Sequence, residues 1–539
     1  MSELLVGIDV GTQSSKGVLV RPDGTLVAQA RAEHGMDVPR PGWAEQDADA
    51  IWWADVCAIA RRLAARVPSG DRIGAVGVSA IGPTVLPLDA DGRPLRPAIL
   101  YGVDTRATAQ IAALEARHGA PNLAAWSGMD LSSQATGPKI AWLREHEPET
   151  HAAARWFVTA TTYLVHRLTG AIVIDAHTAS HFNPLFDRST VGWSDRFADG
   201  ISSIDRLPTI GWPTDVAGVV TPDAAAATGL PVGVPVAVGT VDALAEAVSV
   251  GVVRPGDLMV MYGSTTFFIL ITEAPIEAGS LWLAAGAERG QWALAAGLAT
   301  GGSALAWFRD QLAPDLVAAE RAGGPPAFAA LSREAARADD ELAAGAREDL
   351  LFLPYFSGER TPINDPRARG VAAGLSLGTD RGALYLGLLQ GIAYATRANL
   401  EAMRALGAPI RRVVAVGGGT ADPLLLQLVS DAAGIDQELP GETIGASRGD
   451  ALIAGVASGL VDPSGAGEWV TIERTIRARP QRRARHDARF AAFNHLYRSS
   501  RDIVHRLGSA QGLRATTRTG HHRGTTEERL SRVAEGPAR

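Results

Sequence analysis

The sequence predicts a mixed α/β protein with at least two domains. Its 539 residues exceed the size at which a single hydrophobic core stops growing. Short Val/Ile/Leu runs alternate with Ala-rich helical runs, and clusters of Gly, Pro and Asp separate them. Two hairpin-like segments, at 4–20 and 256–272, each carry a polar tip. Their likeness suggests a duplicated unit, one per domain, with the two tips facing each other across a cleft.

Composition and charge limit the possible functions. With 46% hydrophobic and 20% charged residues, most of the chain should be globular, and a net charge of -7 argues against a general nucleic-acid-binding protein. Cys57 is the single cysteine, which excludes an intramolecular disulfide. The first apolar run meets Asp9 too early for a signal peptide, and later apolar runs are too short to span a bilayer. We therefore expect a cytoplasmic protein without a nucleic-acid or membrane partner.

The first hairpin, LLVGIDVGTQSSKGVLV, has the features of a phosphate-binding turn. Gly11 leaves room for a phosphate near the backbone. Hydroxyl donors and one positive charge come from Thr12, Ser14, Ser15 and Lys16. The return to an apolar strand excludes Walker A and Rossmann motifs, which lead into a helix. A carboxylate beside phosphate is repulsive without a cation, so Asp9 is expected to anchor Mg²⁺. The alternative is an acid that caps a tight turn.

Two later segments extend this interpretation to a nucleotide. In GDLMVMYGSTTFFILIT (256–272), the amides and hydroxyls of residues 263–266 could hold the other end of a triphosphate. In VVAVGGGTADPLLLQLVSD (413–431), glycines would let a flat ring or a ribose lie against the backbone. The helix that follows would offer donors at its N-terminus.

Several motifs together resemble those of the FGGY family of carbohydrate kinases, in family order over roughly residues 4–460. They are GIDVGTQSSK, GTVDALAEA, MYGSTTFF, ATGGSALAWFRD, LFLPYFSGERTPINDPRARG, GLSLGTDRGALYLGLLQGIAYATRANLE and VGGGTADPLLLQLVSDAAG. The resemblance implies two actin-like (ribonuclease H-like) domains with a cleft between them, closing over MgATP and a sugar. We expect a sugar-binding domain over 1–243, a nucleotide-binding domain over 244–505, and a disordered tail over 511–539.

The resemblance also implies roles for individual residues. Asp9 resembles the family's metal-associated aspartate, and Asp242 its catalytic base. A helix N-cap is the alternative for Asp242, and both roles can hold together. Phosphate-contacting positions of the family match Thr12, Lys16, Ser264 and Thr265. Positions that line the nucleotide site in relatives match Gly302, Gly418 and Asp422.

The substrate is harder to assign. Xylulokinases usually carry Gln-Met-His-Gly after a strand of the first domain, and glycerol kinases an Arg-Glu pair, whereas this chain has Ile81-Gly82-Pro83. Contacts to the sugar are therefore expected from the backbone near Gly82, from Asp242 and from Asp104. Arg106 and Gln134 are weaker candidates, and Asp104 and Arg106 could instead pair with each other. His177 and His181 have i,i+4 spacing but lack the glutamate of a zinc helix, so no metal site is expected there.

The function expected is ATP-dependent phosphorylation of a hydroxyl of a small sugar or polyol, with a ketopentose such as xylulose or ribulose preferred. The alternatives are a glycerol- or erythritol-type polyol kinase, an aldonate kinase, or a non-catalytic sugar-responsive regulatory protein with an actin-like fold. The cofactors expected are ATP and Mg²⁺, and relatives of this kind are often homodimers.

The tail gives a first prediction. Residues 511–539 contain six Arg, three Glu and many Thr and Gly, a composition that cannot bury a core. Deleting them should leave the melting temperature and the turnover rate nearly unchanged. Thermal unfolding and a kinase assay on the truncated chain check this, and a large loss of either would show that the tail docks on the protein.

Overall fold

The computed structural model describes residues 2–463, 467 and 469–508. The tail predicted over 511–539 lies outside the described residues. Within them, no helix is long and apolar enough to span a membrane.

The strands of the described chain are short to medium in length. They are β1 (Glu3–Val10), β2 (Ser14–Val20), β3 (Leu26–Glu33), β4 (Glu45–Gln46), β5 (Arg72–Ala80), β6 (Leu86–Leu88), β7 (Ala98–Ile99), β8 (Trp156–Val158), β9 (Val173–Asp175), β10 (Phe186–Asp187), β11 (Gly192–Trp193), β12 (Thr209–Gly211), β13 (Val216–Val219), β14 (Pro235–Ala237), β15 (Thr240–Val241), β16 (Asp257–Tyr262), β17 (Thr266–Thr272), β18 (Trp282–Ala285), β19 (Trp292–Leu298), β20 (Leu351–Leu353), β21 (Val371–Ala373), β22 (Arg412–Val416), β23 (Gln437–Pro440) and β24 (Ile472–Ile476).

Helices occur between the strands in both halves. They are α1 (Ala54–Ala64), α2 (Thr108–His118), α3 (Ala120–Ser127), α4 (Thr136–His146), α5 (Pro148–Ala153), α6 (Ala160–Thr169), α7 (Ala176–Ala179), α8 (Pro222–Thr228), α9 (Asp242–Ser249), α10 (Gly302–Leu312), α11 (Pro314–Arg321), α12 (Ala327–Ala343), α13 (Arg381–Ala405), α14 (Pro423–Ala433), α15 (Ala446–Ala457) and α16 (Arg483–Gly508). A π-helical segment (Ala48–Trp53) precedes α1.

Two seven-stranded mixed sheets form the framework of the described residues. In the first sheet the order is β13-β14-β5-β1-β2-β3, and β15 also pairs with β5. In the second sheet the order is β18-β19-β17-β16-β22-β23-β24. The first sheet draws its strands from residues before 242 and the second from residues after 256. The predicted domain boundary at 243/244 lies between these two sets.

Both predicted hairpins are present and occupy equivalent places in their sheets. β1 pairs antiparallel with β2, so that Asp9 lies opposite Lys16, and β16 pairs antiparallel with β17, so that Tyr262 lies opposite Thr266. Each first strand also pairs in parallel with another strand, β5 or β22. β1 is buried along nearly its whole length, which fits its Val/Ile/Leu run and a sheet covered on both faces.

Helix α15 connects the C-terminal half to the first sheet. A Cβ atom built on Gly7 of β1 would lie 1.9 Å from the Ser447 carbonyl oxygen, and one on Gly77 of β5 would lie 2.0 Å from the Asp450 carbonyl oxygen. On the other side, a Cβ on Gly449 would lie 1.9 Å from the Ala245 carbonyl oxygen of α9. Glycine is therefore required at these three places, because backbone meets backbone there. The two halves share a buried contact, so the C-terminal half is not a self-contained unit.

The close approach of α15 gives a prediction. Gly77→Ala should lower the free energy of unfolding by about 1–3 kcal/mol, since the added methyl group meets a backbone oxygen that cannot rotate away. Gly35→Ala is the matched control, because nothing lies within 4 Å of a Cβ built at Gly35. Urea denaturation of both variants measures the difference. Equal urea midpoints for the two variants would contradict the glycine-dependent packing of α15.

Candidate active site

The two aspartates singled out from the sequence meet at one edge of the first sheet. Asp9 lies in β1, which pairs in parallel with β5, and Asp242 begins α9 directly after β15, which also pairs in parallel with β5. Because parallel strands end at the same edge, the topology places both carboxyl groups there. Asp9 and Asp242 line one cavity of about 330 Å³, which also contains Gly82 and Thr265.

Two further acids join them. Glu246 lies one helical turn after Asp242 in α9 and lines the same cavity. Asp450 of α15 is fully buried, and its Oδ2 lies 2.8 Å from the Ser79 hydroxyl. That hydroxyl also lies 3.1 Å from Asp9 Oδ1. Since Ser79 has one proton, it can donate to only one of the two carboxylates at a time.

Burial raises the pKa values of all four acids. Burial raises the pKa of Asp9 to about 6, although the Ser79 hydroxyl and the charges of Lys16 and His34 oppose the rise. Burial and the charge of Asp9 raise the pKa of Asp242 to about 8 and that of Glu246 to about 7. Burial also raises the pKa of Asp450 well above its ordinary value. Burial is the main cause of the raised pKa for all four acids, and the charge of Asp9 adds to it for Asp242, Glu246 and Asp450.

The site offers few protein ligands for a divalent cation. Among the described residues, no group of three or more His, Cys, Asp or Glu side chains is arranged to bind a metal on its own. The Oδ1 atom of Asp450 is buried and has no hydrogen-bond partner among the residues that the structure describes. Mg²⁺ commonly takes one or two carboxylates and completes its shell with water and phosphate oxygens. The donor set therefore suits Mg²⁺ carried by a nucleotide better than a resident protein-only metal site.

Hydrogen bonds hold the segment that leads to Asp242. The Thr240 hydroxyl donates to Asp175 Oδ2 at 2.9 Å, and the Thr161 hydroxyl donates to the Thr240 carbonyl at 2.8 Å. Asp242 Oδ1 itself accepts from the Ala243 N–H at 2.8 Å. Helix α9 begins at Asp242 itself, its N-cap residue is Val241 and no side chain of the described residues caps it, so the interpretation of Asp242 as a helix N-cap is wrong. The Asp242 side chain lines the cavity.

The predicted phosphate-contacting residues fall at the two hairpin tips. The Thr12 hydroxyl lies 3.3 Å from the Tyr101 hydroxyl, and Lys16 lies opposite Asp9 in the hairpin register. In the second tip, the Ser264 carbonyl accepts from the Gly301 and Ser303 amides. Of this predicted set, Thr265 is the one that lines the cavity.

The predicted nucleotide positions lie around the second hairpin and the third glycine-rich segment. The Gly302 amide donates to the Gly263 carbonyl at 2.9 Å, and a Cβ at Gly302 would lie 2.7 Å from that oxygen. A Cβ at Gly418 would meet nothing within 4 Å. Asp422 caps α14 by accepting from the Leu424 amide at 3.0 Å, and its other oxygen accepts from Ser332. None of these three residues is among those that line the cavity.

Asp104 lies apart from the other predicted substrate residues. It lines a neighbouring cavity of about 450 Å³, and its side chain is fully buried. Its carboxylate accepts from the Arg106 guanidinium at 2.7 Å and from the Ala44 N–H at 2.7 Å. Asp104 and Arg106 thus form the pair that the sequence left open as an alternative. Gln134, Trp282 and Arg360 line both cavities, which are therefore adjacent.

Sequence reasoning missed several residues of the site. Glu246 could have been found, because it lies four residues after Asp242 on one helix face. Asp450 follows Gly449 in a helix of small residues with no local signal, and its place depends on the packing of α15. His177 and His181 were considered only as metal ligands, but both line the cavity.

The chain is similar to known proteins over most of its length. Residues 4–249 match the model of the N-terminal domain of the FGGY family of carbohydrate kinases, and residues 258–458 match that of its C-terminal domain. The xylulose kinase of Escherichia coli K12 is 30% identical over 84% of this chain and 90% of its own length. The glycerol kinase of Symbiobacterium thermophilum is 29% identical over 85% of this chain and 90% of its own.

A solved structure agrees with these matches. The crystal structure of xylulose kinase from Rhodospirillum rubrum superposes with a TM-score of 0.85 at 30% identity, covering 93% of this chain and all of the other. These findings confirm the predicted α/β class with two actin-like domains and the prediction of an enzyme. The chain belongs to the FGGY family of carbohydrate kinases, ATP-dependent phosphotransferases that act on sugars and polyols.

Proposed function

We propose that this chain transfers the γ-phosphoryl group of ATP to a hydroxyl of a small sugar or polyol, with a ketopentose such as xylulose or ribulose as the expected substrate. The observation that carries the proposal is the cavity that Asp9 and Asp242 share and that Gly82 and Thr265 also line. A cleft with a carboxylate base next to phosphate donors matches what phosphoryl transfer requires.

Asp242 is the proposed base. A sugar hydroxyl is a weak nucleophile, so its proton must pass to a group of sufficient basicity as the oxygen approaches phosphorus. The raised pKa of Asp242, caused by burial and by Asp9, gives its carboxylate a strong affinity for that proton once it is ionised. The hydrogen bonds of Thr240 and Thr161 keep the segment that carries Asp242 in place, which preserves the alignment of base and hydroxyl.

The other proposed roles follow the two hairpin tips. Asp9 would hold Mg²⁺, which when bound neutralises charge on the phosphates and on the neighbouring acids. Phosphate contacts are proposed for Thr12, Lys16, Ser264 and Thr265. The nucleotide would lie against Gly302, Gly418 and Asp422. Open space at Gly418 supports this placement, because it allows a ring to approach the backbone.

On the sugar side, the backbone at Gly82 and the Asp242 carboxylate are the proposed contacts. A Cβ at Gly82 would lie 2.4 Å from Val241 Cγ1, so glycine here lets the turn approach β15 and Asp242 closely. A direct contact from Asp104 stays a prediction, and it would require the carboxylate to leave Arg106. Likeness to two xylulose kinases supports the ketopentose, and likeness to a glycerol kinase supports a polyol as the second candidate.

Replacement of the proposed base is the main test of this function. Asp242→Asn should lower kcat by roughly 10²–10⁴-fold while the Kd for ATP changes little, because proton removal is lost and nucleotide contacts remain. Steady-state kinetics and calorimetric titration with ATP measure the two quantities. Asp223→Asn, at an exposed position in the first turn of α8, serves as the control. Near-wild-type kcat in Asp242→Asn would remove this residue from the role of base.

The role of Asp9 is tested through the metal. Asp9→Asn should raise the Mg²⁺ concentration needed for half-maximal rate by about 10–100-fold, since one charged anchor for the cation is lost. Rates over a MgCl₂ titration give this value, and Asp23→Asn in the exposed turn after β2 is the matched control. If Asp9→Asn and wild type respond alike to Mg²⁺, Asp9 does not anchor the ion.

A further inference from the structure

Two histidines line the cavity of Asp242 without a part in the chemistry described above. His177 lies in α7 and His181 follows that helix, and their ring centroids are 5.7 Å apart. Both line the cavity that contains Gly82 and Asp242. The Thr136 amide holds the His181 backbone by donating to its carbonyl at 2.9 Å. The backbone at His181 is thus held in place beside the cavity.

The protonation of His177 follows from its partner. Its Nδ1 lies 2.6 Å from the Ala285 carbonyl oxygen, which can only accept, so Nδ1 carries the proton. Burial lowers the pKa of His177, and burial together with His177 lowers the pKa of His181 to about 3. Both rings are therefore neutral at pH 7, and Nε2 of His177 is left as a hydrogen-bond acceptor. No hydrogen bond to the His181 imidazole occurs among the residues that the structure describes.

Part of the cavity lining is apolar and belongs to the second sheet. Its side chains are those of Met261, Phe267, Ile269, Trp282, Ala284 and Ala295. A cavity with one apolar wall and a few polar groups is the usual form of a small-molecule site. The carbon chain of a sugar would lie against this wall, and its hydroxyls would face the polar groups. The segment Ile81-Gly82-Pro83 offers no side-chain donor or acceptor.

We propose that His177 and His181 bind hydroxyl groups of the substrate and thereby determine which sugar or polyol is phosphorylated. The inference rests on the proposed kinase function and deepens it. His177 in α7 and His181 just after it provide the polar side chains that segment 81–83 lacks. A hydroxyl that donates to His177 Nε2 is selected, because a substrate without it would leave a buried acceptor unpaired.

Two substitutions separate binding from packing. His177→Asn keeps an N–H for the Ala285 carbonyl but removes Nε2, and His181→Phe keeps an aromatic ring but removes both nitrogens. His118→Phe is the matched control, since His118 packs edge-on against Phe197 and does not line the cavity. Wild type and variants are assayed first with a panel of ketopentoses, pentitols, tetritols and glycerol. The best substrate is then compared with its deoxy analogues.

The expected result is a rise in the sugar KM of about tenfold or more for His177→Asn and His181→Phe, with kcat and the ATP KM within about threefold of wild type. The deoxy analogue that lacks the selected hydroxyl should show the smallest difference in KM between wild type and His177→Asn, because the hydrogen bond that the substitution removes is already missing from that complex. If His181→Phe does not fold, His177→Asn decides the question.

Two outcomes would overturn the inference and differ in what else they overturn. If wild type phosphorylates a sugar and both variants keep its KM, the histidines do not bind substrate, while the kinase function stands. If wild type phosphorylates no compound of the panel, the proposed substrate class fails and the inference fails with it.

Discussion

The geometry of the candidate site depends on the packing of α15 against the first sheet. Gly7 and Gly77 let the backbone of α15 touch β1 and β5, and Gly449 lets α9 approach from the other side. Asp9, Asp242 and Asp450 are carried by these elements. A side chain at any of the three glycines would push the helix outward, because backbone atoms cannot move aside as a flexible side chain does. The spacing of the acids is therefore set by backbone packing.

This packing places acidic side chains close together in a buried region. Their charged forms are therefore raised in free energy in the free protein. Burial raises the pKa values of Asp9, Asp242 and Glu246, and the charge of Asp9 raises those of Asp242 and Glu246 further. A ligand that brings a divalent cation would lower the free energy of the charged forms, so binding of a metal-nucleotide complex would favour ionisation of Asp242, the proposed base. A carboxylate that is ionised when the nucleotide is bound is suited to accept a proton at that moment.

Much of the fold could be predicted from the sequence because its signals are local. The hairpin of β1 and β2 is predicted by one continuous sequence pattern of apolar strand, polar turn and apolar strand. The hairpin of β16 and β17 is predicted by the same pattern. Asp9 could be identified from its place at a strand end, and Asp242 from the resemblance of GTVDALAEA to the family's motif. Asp450, in contrast, contacts Ser79, which is 371 residues away in the sequence, and no local sequence pattern indicates such a contact. His177 and His181 line the cavity because α7 packs beside β18, which spacing alone could not indicate.

Phosphoryl transfer from ATP to a sugar or polyol can be followed by phosphorus NMR of the products formed from MgATP and each member of a panel of ketopentoses, pentitols, tetritols, glycerol and aldonates. We expect one strong substrate, with a phosphate monoester appearing in equal amount to ADP. Unchanged ATP, or ADP with inorganic phosphate alone, in every mixture would show that the protein phosphorylates no member of this panel and would refute the proposed function.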